Sequence, residues 1–148
     1  MLTFKIKIKS WWGIALLTAI VTIVSPSSVK AGQDNMFEMI GSEDFLQMTA
    51  KMMNSSLPMM VDADTQWDSS SAGPGKTLSY NYTLINYSTA NIDSSLFANN
   101  IRSTMTKTVC TTPAIQIFPD NGVSLNFNYY DNTHNLIAKI QVAPSDCQ

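Results

Sequence analysis

Residues 77–84 read TLSYNYTL, and this stretch decides the fold. Leucine or tyrosine occupies every second position, whereas the positions between them hold Thr, Ser, Asn and Thr. Because side chains alternate between the two faces of a β-strand, this pattern predicts a strand with one buried and one solvated face. One strand cannot hide its apolar face alone, so the surrounding chain must supply a sheet and a covering layer.

Four other stretches predict strands. Residues 57–68 alternate in the same way, and the segment 69–75 (SSSAGPG) that follows them predicts a flexible turn, so 57–68 and 77–84 should form an antiparallel hairpin. Residues 123–130 and 136–142 predict a second hairpin. The short apolar stretch IQIF before this second hairpin predicts an edge strand at 115–118.

Two amphipathic helices are expected, one before each hairpin. The first begins after Ser42, whose hydroxyl group suits a helix N-cap, and it carries Phe45, Met48 and Met52 along one stripe. The second begins after Asp93 and carries a stripe of apolar residues spaced by four: Phe97, Ile101, Met105 and Val109. The order helix, hairpin, helix, hairpin predicts an α+β domain. We expect an antiparallel sheet of four or five strands with both helices on its apolar face.

The first 31 residues predict an export signal. Three lysines precede an uncharged apolar run at 11–24, and a polar stretch ends in Val29-x-Ala31, which suits cleavage after Ala31. The alternative is an uncleaved N-terminal anchor. Residues 32–41 would then be a lead-in and 42–148 a single domain, located in the periplasm or outside the cell.

The two cysteines, Cys110 and Cys147, both lie in the exported part. An even pair in an exported chain predicts one structural disulfide bond. Four of the nine basic residues lie in the export signal and all 11 acidic residues lie after it, so the exported part has a net charge of −6. This charge argues against nucleic-acid binding, and a hydrophobic content of 45% argues against disorder.

Four residues form the predicted binding surface. Asp62, Asp64 and Asp68 share the polar phase of their strand, and Tyr130 lies on the polar phase of another. Carboxylates and an exposed tyrosine on the solvated sheet face are typical of a recognition surface for a basic protein partner. The alternatives are a solvated acidic face without a partner and a weak cation site.

The sequence contains few of the residue types that catalysis commonly uses. His134 is the only histidine and lies in a predicted turn, so we expect no catalytic residues, no metal ion and no cofactor. A small hydrolase that uses Asp62 and Asp64, or His134, is the weaker alternative. Another alternative is a carrier of a small molecule or lipid, whose Met-rich cavity lies between helices and sheet. Five methionines lie close in sequence, and we expect them to fill the core: Met48, Met52, Met53, Met59 and Met60.

Several short motifs resemble those of small exported bacterial proteins of unknown function. The motifs are Leu57-Pro58-Met59-Met60-Val61-Asp62 with Thr65, Tyr80-x-Tyr82-x-Leu84, Cys110, Tyr129-Tyr130-Asp131 and Asp146-Cys147. This resemblance covers about residues 45–148. It implies export, the disulfide bond and an α+β fold, and it transfers no activity. The expected function is therefore a non-enzymatic accessory module that binds a protein.

Overall fold

A computed structural model describes residues 38–148, so the predicted export signal (1–31) and most of the lead-in (32–41) lie outside the described residues. In chain order, the elements are α1 (Glu43–Asn54), β1 (Met59–Met60), β2 (Thr65–Gly73), β3 (Thr77–Leu84), α2 (Ser94–Thr111), α3 (Pro113–Asp120), β4 (Ser124–Asp131), β5 (Leu136–Val142) and a closing 3₁₀ helix (Pro144–Cys147). In this part of the chain, no helix is both long enough and apolar enough to cross a membrane.

The five strands form one sheet in the order β1-β2-β3-β4-β5. The predicted α+β class, strand number and disulfide bond are confirmed. One detail differs, because β3 and β4 run parallel while the other pairs are antiparallel. The chain leaves the end of β3, returns through α2 and α3, and enters β4 at the end where β3 began. Such a helical crossover makes the two strands parallel, so the sheet is mixed instead of antiparallel throughout.

The first predicted strand, 57–68, is wrong as a single element. β1 covers only two residues, the chain turns at 61–64, and β2 continues through residues 69–73, which were expected to form a turn. The carboxylate of Asp62 causes the early turn, because it accepts hydrogen bonds from the backbone N–H groups of Asp64 (2.8 Å) and Thr65 (2.7 Å). The serine-rich segment at 69–73 then pairs with β3, although its composition had predicted a turn.

The predicted edge strand at 115–118 is also wrong, because these residues belong to α3. Pro113 begins this helix, at a position where the ring suits helical backbone and no N–H group is needed. Ile115 and Phe118, three residues apart, turn toward the core. A four-residue apolar run cannot by itself distinguish a strand from a short helix.

The two long helices pack on the same face of the sheet. Ser42 caps α1 as predicted, since its hydroxyl oxygen accepts a hydrogen bond from the N–H of Phe45. The α1 stripe was placed wrongly, however: Leu46 and Ala50 are buried, whereas Met48 and Met52 are 55% and 67% exposed. Apolar residues cover about half of the circumference of this helix, so periodicity alone did not decide which edge of that arc is buried. The α2 stripe is confirmed, and all four of its members join the core.

The core lies between this helical layer and the two central strands. It is formed by large side chains with little exposure: Leu46, Leu78, Tyr80, Leu84, Val109, Val123, Leu125, Phe127, Tyr129, Ile140 and Val142. The Cys110–Cys147 disulfide bond, with a Cα–Cα distance of 5.1 Å, fastens the C-terminal 3₁₀ helix to the end of α2. The last hairpin is close to its predicted bounds.

Candidate functional site

A groove runs alongside α2 on the helix-covered face of the sheet. It consists of three adjoining cavities: an outer one of about 640 Å³, a middle one of about 230 Å³ and an inner one of about 340 Å³. Leu84 and Phe97 line both the outer and the middle cavity. Tyr82 and Met105 line both the middle and the inner cavity. The groove therefore extends from the end of β3 to the space between α1 and α3.

The outer end of the groove carries three carboxylates, Asp62, Asp64 and Asp93, which we call the acidic mouth. Asp62 and Asp64 lie on the 61–64 turn. Asp64 fastens this turn to the chain after β3, because its carboxylate accepts a hydrogen bond from the amide of Asn86 and its carbonyl oxygen accepts one from the N–H of Ile85. Asp93 is the N-cap of α2. Hydrogen bonds thus hold all three carboxylates in place.

The acidic mouth is negatively charged at neutral pH. Hydrogen bonds from the backbone of Asp64 and from Thr65 lower the pKa of the exposed Asp62, against a smaller opposing effect of burial. Among the described residues, no Lys, Arg or His lines the outer cavity to offset this charge. The wall beside the carboxylates is apolar and contains Leu96 and Phe97. An apolar surface with a charged rim suits an amphipathic binding partner.

Aromatic side chains form the floor of the groove. Tyr80 stacks on Phe127 and Tyr82 stacks on Tyr129, each pair at a centroid distance of 5.2 Å, because these residues are register partners on β3 and β4. Burial raises the pKa of Tyr80 to about 12. Burial, together with the charge of Asp62, raises the pKa of Tyr129 to about 12. These tyrosines are therefore neutral hydrogen-bond donors at physiological pH.

Asp131, at the end of β4, is the register partner of Leu84, which lines the outer cavity. Its fully buried carboxylate accepts hydrogen bonds from the backbone N–H groups of Thr89 (2.9 Å) and Asn135 (2.8 Å). It also accepts hydrogen bonds from the backbone N–H group and the hydroxyl group of Thr133. Burial alone would raise the pKa of Asp131, but these hydrogen bonds outweigh it and hold the pKa far below its usual value. The sequence predicts no role for this residue. The Asp-x-Thr-x-Asn turn was the available signal.

The four predicted binding residues do not form one surface. Asp62 and Asp64 line the outer cavity, on the helix-covered side of the sheet. Asp68 and Tyr130 lie on the opposite side, where the carboxylate of Asp68 accepts a 2.7 Å hydrogen bond from the hydroxyl of Thr83, the register partner of Tyr130. The 61–64 turn and the register shift between Trp67 and Ser69 interrupt the alternation that would have aligned the three aspartates.

The side of the sheet away from the helices, which we call the polar face, is as hydrophilic as its sequence predicts. Asn128 donates a hydrogen bond to Asn81 on the neighbouring strand (2.9 Å), and Asn81 donates one to Ser69 (3.0 Å). These three side chains thus form a hydrogen-bonded row across three strands. Asp68 is likewise engaged, by Gln66 and Thr83.

The methionines mostly do not fill the core, contrary to expectation. Met48, Met52, Met59 and Met60 are exposed, and only Met53 of the five packs against the core, where it lines the inner cavity. His134 lies exposed at a turn with a positive φ of 63°. Within residues 38–148, no group of three or more His, Cys, Asp and Glu side chains is arranged to hold a metal ion.

A family model described as "Domain of unknown function (DUF8479)" matches residues 41–137, which is more than half of the chain. No curated protein matches the chain in sequence.

Solved structures share the fold at low identity. A crystal structure of a candidate secreted protein from Pseudomonas aeruginosa is 15% identical, with a TM-score of 0.61 over 75% of this chain and 96% of that chain. The type 2 secretion system pilotin EpsS from Vibrio vulnificus is 14% identical, with a TM-score of 0.60 over 80% and 97%. The type 2 secretion system pilotin AspS from Vibrio cholerae is 15% identical, with a TM-score of 0.53 over 80% and 99%. At these identities the likeness shows the fold alone.

Proposed function

The chain belongs to the DUF8479 family, whose function is unknown, and we propose that it is an exported, non-enzymatic accessory protein that binds a basic segment of a partner protein at the acidic mouth. The observation that carries the proposal is the combination of three carboxylates with an apolar wall in one cavity of about 640 Å³. Two structures of this fold are pilotins of type 2 secretion systems, which supports a role in the cell envelope.

The chemistry of the acidic mouth specifies the partner segment. Apolar side chains of the segment would pack against Leu84, Leu96 and Phe97, which would be the energetic centre of the contact. Lysine or arginine side chains beside them would face Asp62 and Asp64. Such charge pairing raises the association rate and rejects acidic competitors more than it adds affinity. An amphipathic segment with basic residues at one end therefore fits best.

Asp68 and Tyr130 remain predicted binding residues of a separate contact on the polar face. Most of that face consists of neutral side chains, so charge contributes little to a contact there. The two surfaces lie on opposite sides of the sheet, and one experiment can separate them.

We would place a photo-crosslinking amino acid at Leu96, which is exposed in the outer cavity, and in a second variant at Lys139 on the polar face. Both proteins would be expressed in the native host and irradiated in intact cells. We expect one discrete crosslinked protein from position 96. This product should fall at least fivefold in the double variant D62K/D64K, which leaves the cap residue Asp93 intact.

The matched control is E43K/D120K, which makes the same change in charge at two exposed sites outside the groove. This control should retain the crosslink at position 96. A crosslink that survives D62K/D64K, or that forms only from position 139, would transfer the proposed contact from the acidic mouth to the polar face.

A further inference from the structure

The inner cavity lies between α1, the sheet and the helices α2 and α3. Its volume of about 340 Å³ is within the range of small-molecule pockets, about 300–1,000 Å³. Its lining is almost entirely apolar: Met53, Trp67, Met105, Val109, Ala114, Ile115, Phe118 and Phe127 contribute, with Tyr80, Tyr82 and Thr108 as the polar members. Flexible methionines on α1 and α2 face this space and can adapt to different shapes.

Tyr80 supplies a hydroxyl group to this lining. The residue is only 8% exposed, but its hydroxyl oxygen is not fully buried, and no residue of the described part of the chain makes a hydrogen bond with it. A neutral hydroxyl group that is accessible in an otherwise apolar cavity can pair with a ligand that brings its own hydrogen-bonding group.

The cavity also limits the size and charge of that ligand. If a methylene group takes up about the same volume as a water molecule, about 30 Å³, then 340 Å³ holds about eleven such groups. A carboxylate would lose its hydration in the apolar cavity, so an anionic end is disfavoured.

We propose that the inner cavity binds a small single-chain amphiphile of about eleven or twelve carbon atoms, whose uncharged hydroxyl or carbonyl group pairs with the hydroxyl of Tyr80. This site goes beyond the proposed function and does not depend on it. The ligand occupies the inner end of the groove and leaves the acidic mouth free for a protein segment.

Trp67 provides the measurement, because its indole lies in the wall of the inner cavity and contacts Tyr80 at a centroid distance of 5.6 Å. We would purify the exported protein and titrate it with 1-dodecanol, with dodecanoate and with dodecyltrimethylammonium as monomers at pH 7.5. Subtracting the signal of W67F isolates the emission of Trp67. We expect a saturable change with 1-dodecanol and at least tenfold weaker binding of dodecanoate.

Three variants decide where the probe binds. A114W fills the inner cavity from an exposed position and should abolish the response to 1-dodecanol. A63W, which narrows only the outer cavity, should leave the affinity for 1-dodecanol unchanged. Y80F should weaken binding about three- to tenfold, the value of one net hydrogen bond, without lowering stability, because the hydroxyl has no protein partner to lose.

Three results would overturn the proposal: no saturable response to 1-dodecanol up to its solubility limit, unchanged binding in A114W, or loss of binding in A63W. Unchanged binding in Y80F would overturn the assignment of Tyr80. None of these results bears on the crosslink at Leu96, so the two proposals can fail separately.

Discussion

The side-chain amide of Asn54 pairs with both backbone groups of Ser70, which lies 16 residues later in the chain. Its Nδ2 donates to the carbonyl oxygen of Ser70 at 2.8 Å, and its Oδ1 accepts from the N–H of Ser70 at 2.7 Å. The short strand β1 covers β2 only at Gln66 and Trp67, so Ser70 lies on an open part of the sheet edge. Asn54 thus takes the place of a neighbouring strand and joins the end of α1 to β2.

We expect N54A to lower the free energy of unfolding by about 1–3 kcal/mol, because it leaves the backbone groups of Ser70 without partners and Ser70 is only 4% exposed. Urea denaturation followed by circular dichroism would measure the loss. N99A is the control, since Asn99 is exposed on a helix and makes no hydrogen bond through its side chain with the described residues. Equal stability of the two variants would contradict a bridging role for Asn54.

The disulfide bond should contribute strongly to stability. It closes a loop between positions that are 37 residues apart, for which chain entropy gives about 4 kcal/mol. We expect the double variant C110A/C147A to unfold at a correspondingly lower urea concentration. Adding dithiothreitol should shift the midpoint of the wild-type protein toward that of the variant and leave the variant unchanged. A wild-type midpoint that does not respond to full reduction would refute this contribution.

Asp131 should make stability depend on acid pH. Because its pKa in the folded protein lies below the unfolded value of about 3.9, its contribution is present above that value and is lost as the pH falls below it. D131N removes the charge and turns an amide N–H₂ group either toward the N–H of Thr89 or toward the donors of Thr133 and Asn135. We expect D131N to be less stable at pH 7, with a difference from the wild type that narrows toward pH 2.

The pH series would be followed by urea denaturation of both proteins. D120N, at an exposed carboxylate, is the control and should track the wild type at every pH. If the gap between D131N and the wild type stayed constant from pH 7 to pH 2, the hydrogen bonds of Asp131 would not depend on its charge.

Alkaline pH should destabilise the protein because it deprotonates Tyr80, a buried tyrosine of the groove floor. The pKa of Tyr80 is about 12 in the fold against about 10 in the unfolded chain, so the stability that its neutral form contributes is present below pH 10 and is lost as the pH rises through 12. The loss would be about 2–3 kcal/mol for this residue. We expect Y80F to resist alkaline denaturation better than the wild type, measured by urea midpoints from pH 8 to pH 12. Parallel curves for the two proteins would contradict burial of the hydroxyl.

Local periodicity predicted most of the secondary structure and missed specific parts of the sheet. The strand at 77–84 and the helix that begins at Asp93 were predictable because alternation and a four-residue spacing are properties of the chain itself. The parallel pairing of β3 and β4 was not, because it depends on which way the helical crossover returns the chain. The turn at Asp62 was missed because one side-chain hydrogen bond to the backbone outweighs an alternating pattern.

By itself, the sequence determined the α+β class, the two long helices, the last hairpin, the polar and apolar faces of the central strands and the pairing of Cys110 with Cys147. Each of these follows from the spacing of residue types along one segment or from counting cysteines. Only the tertiary structure decided that Asp62 and Asp64 meet Asp93 at a groove, while Asp68 lies on the other side of the sheet. The physical reason is that such a site is built by packing segments distant in sequence, and a shift of one residue in a strand moves a side chain to the opposite face.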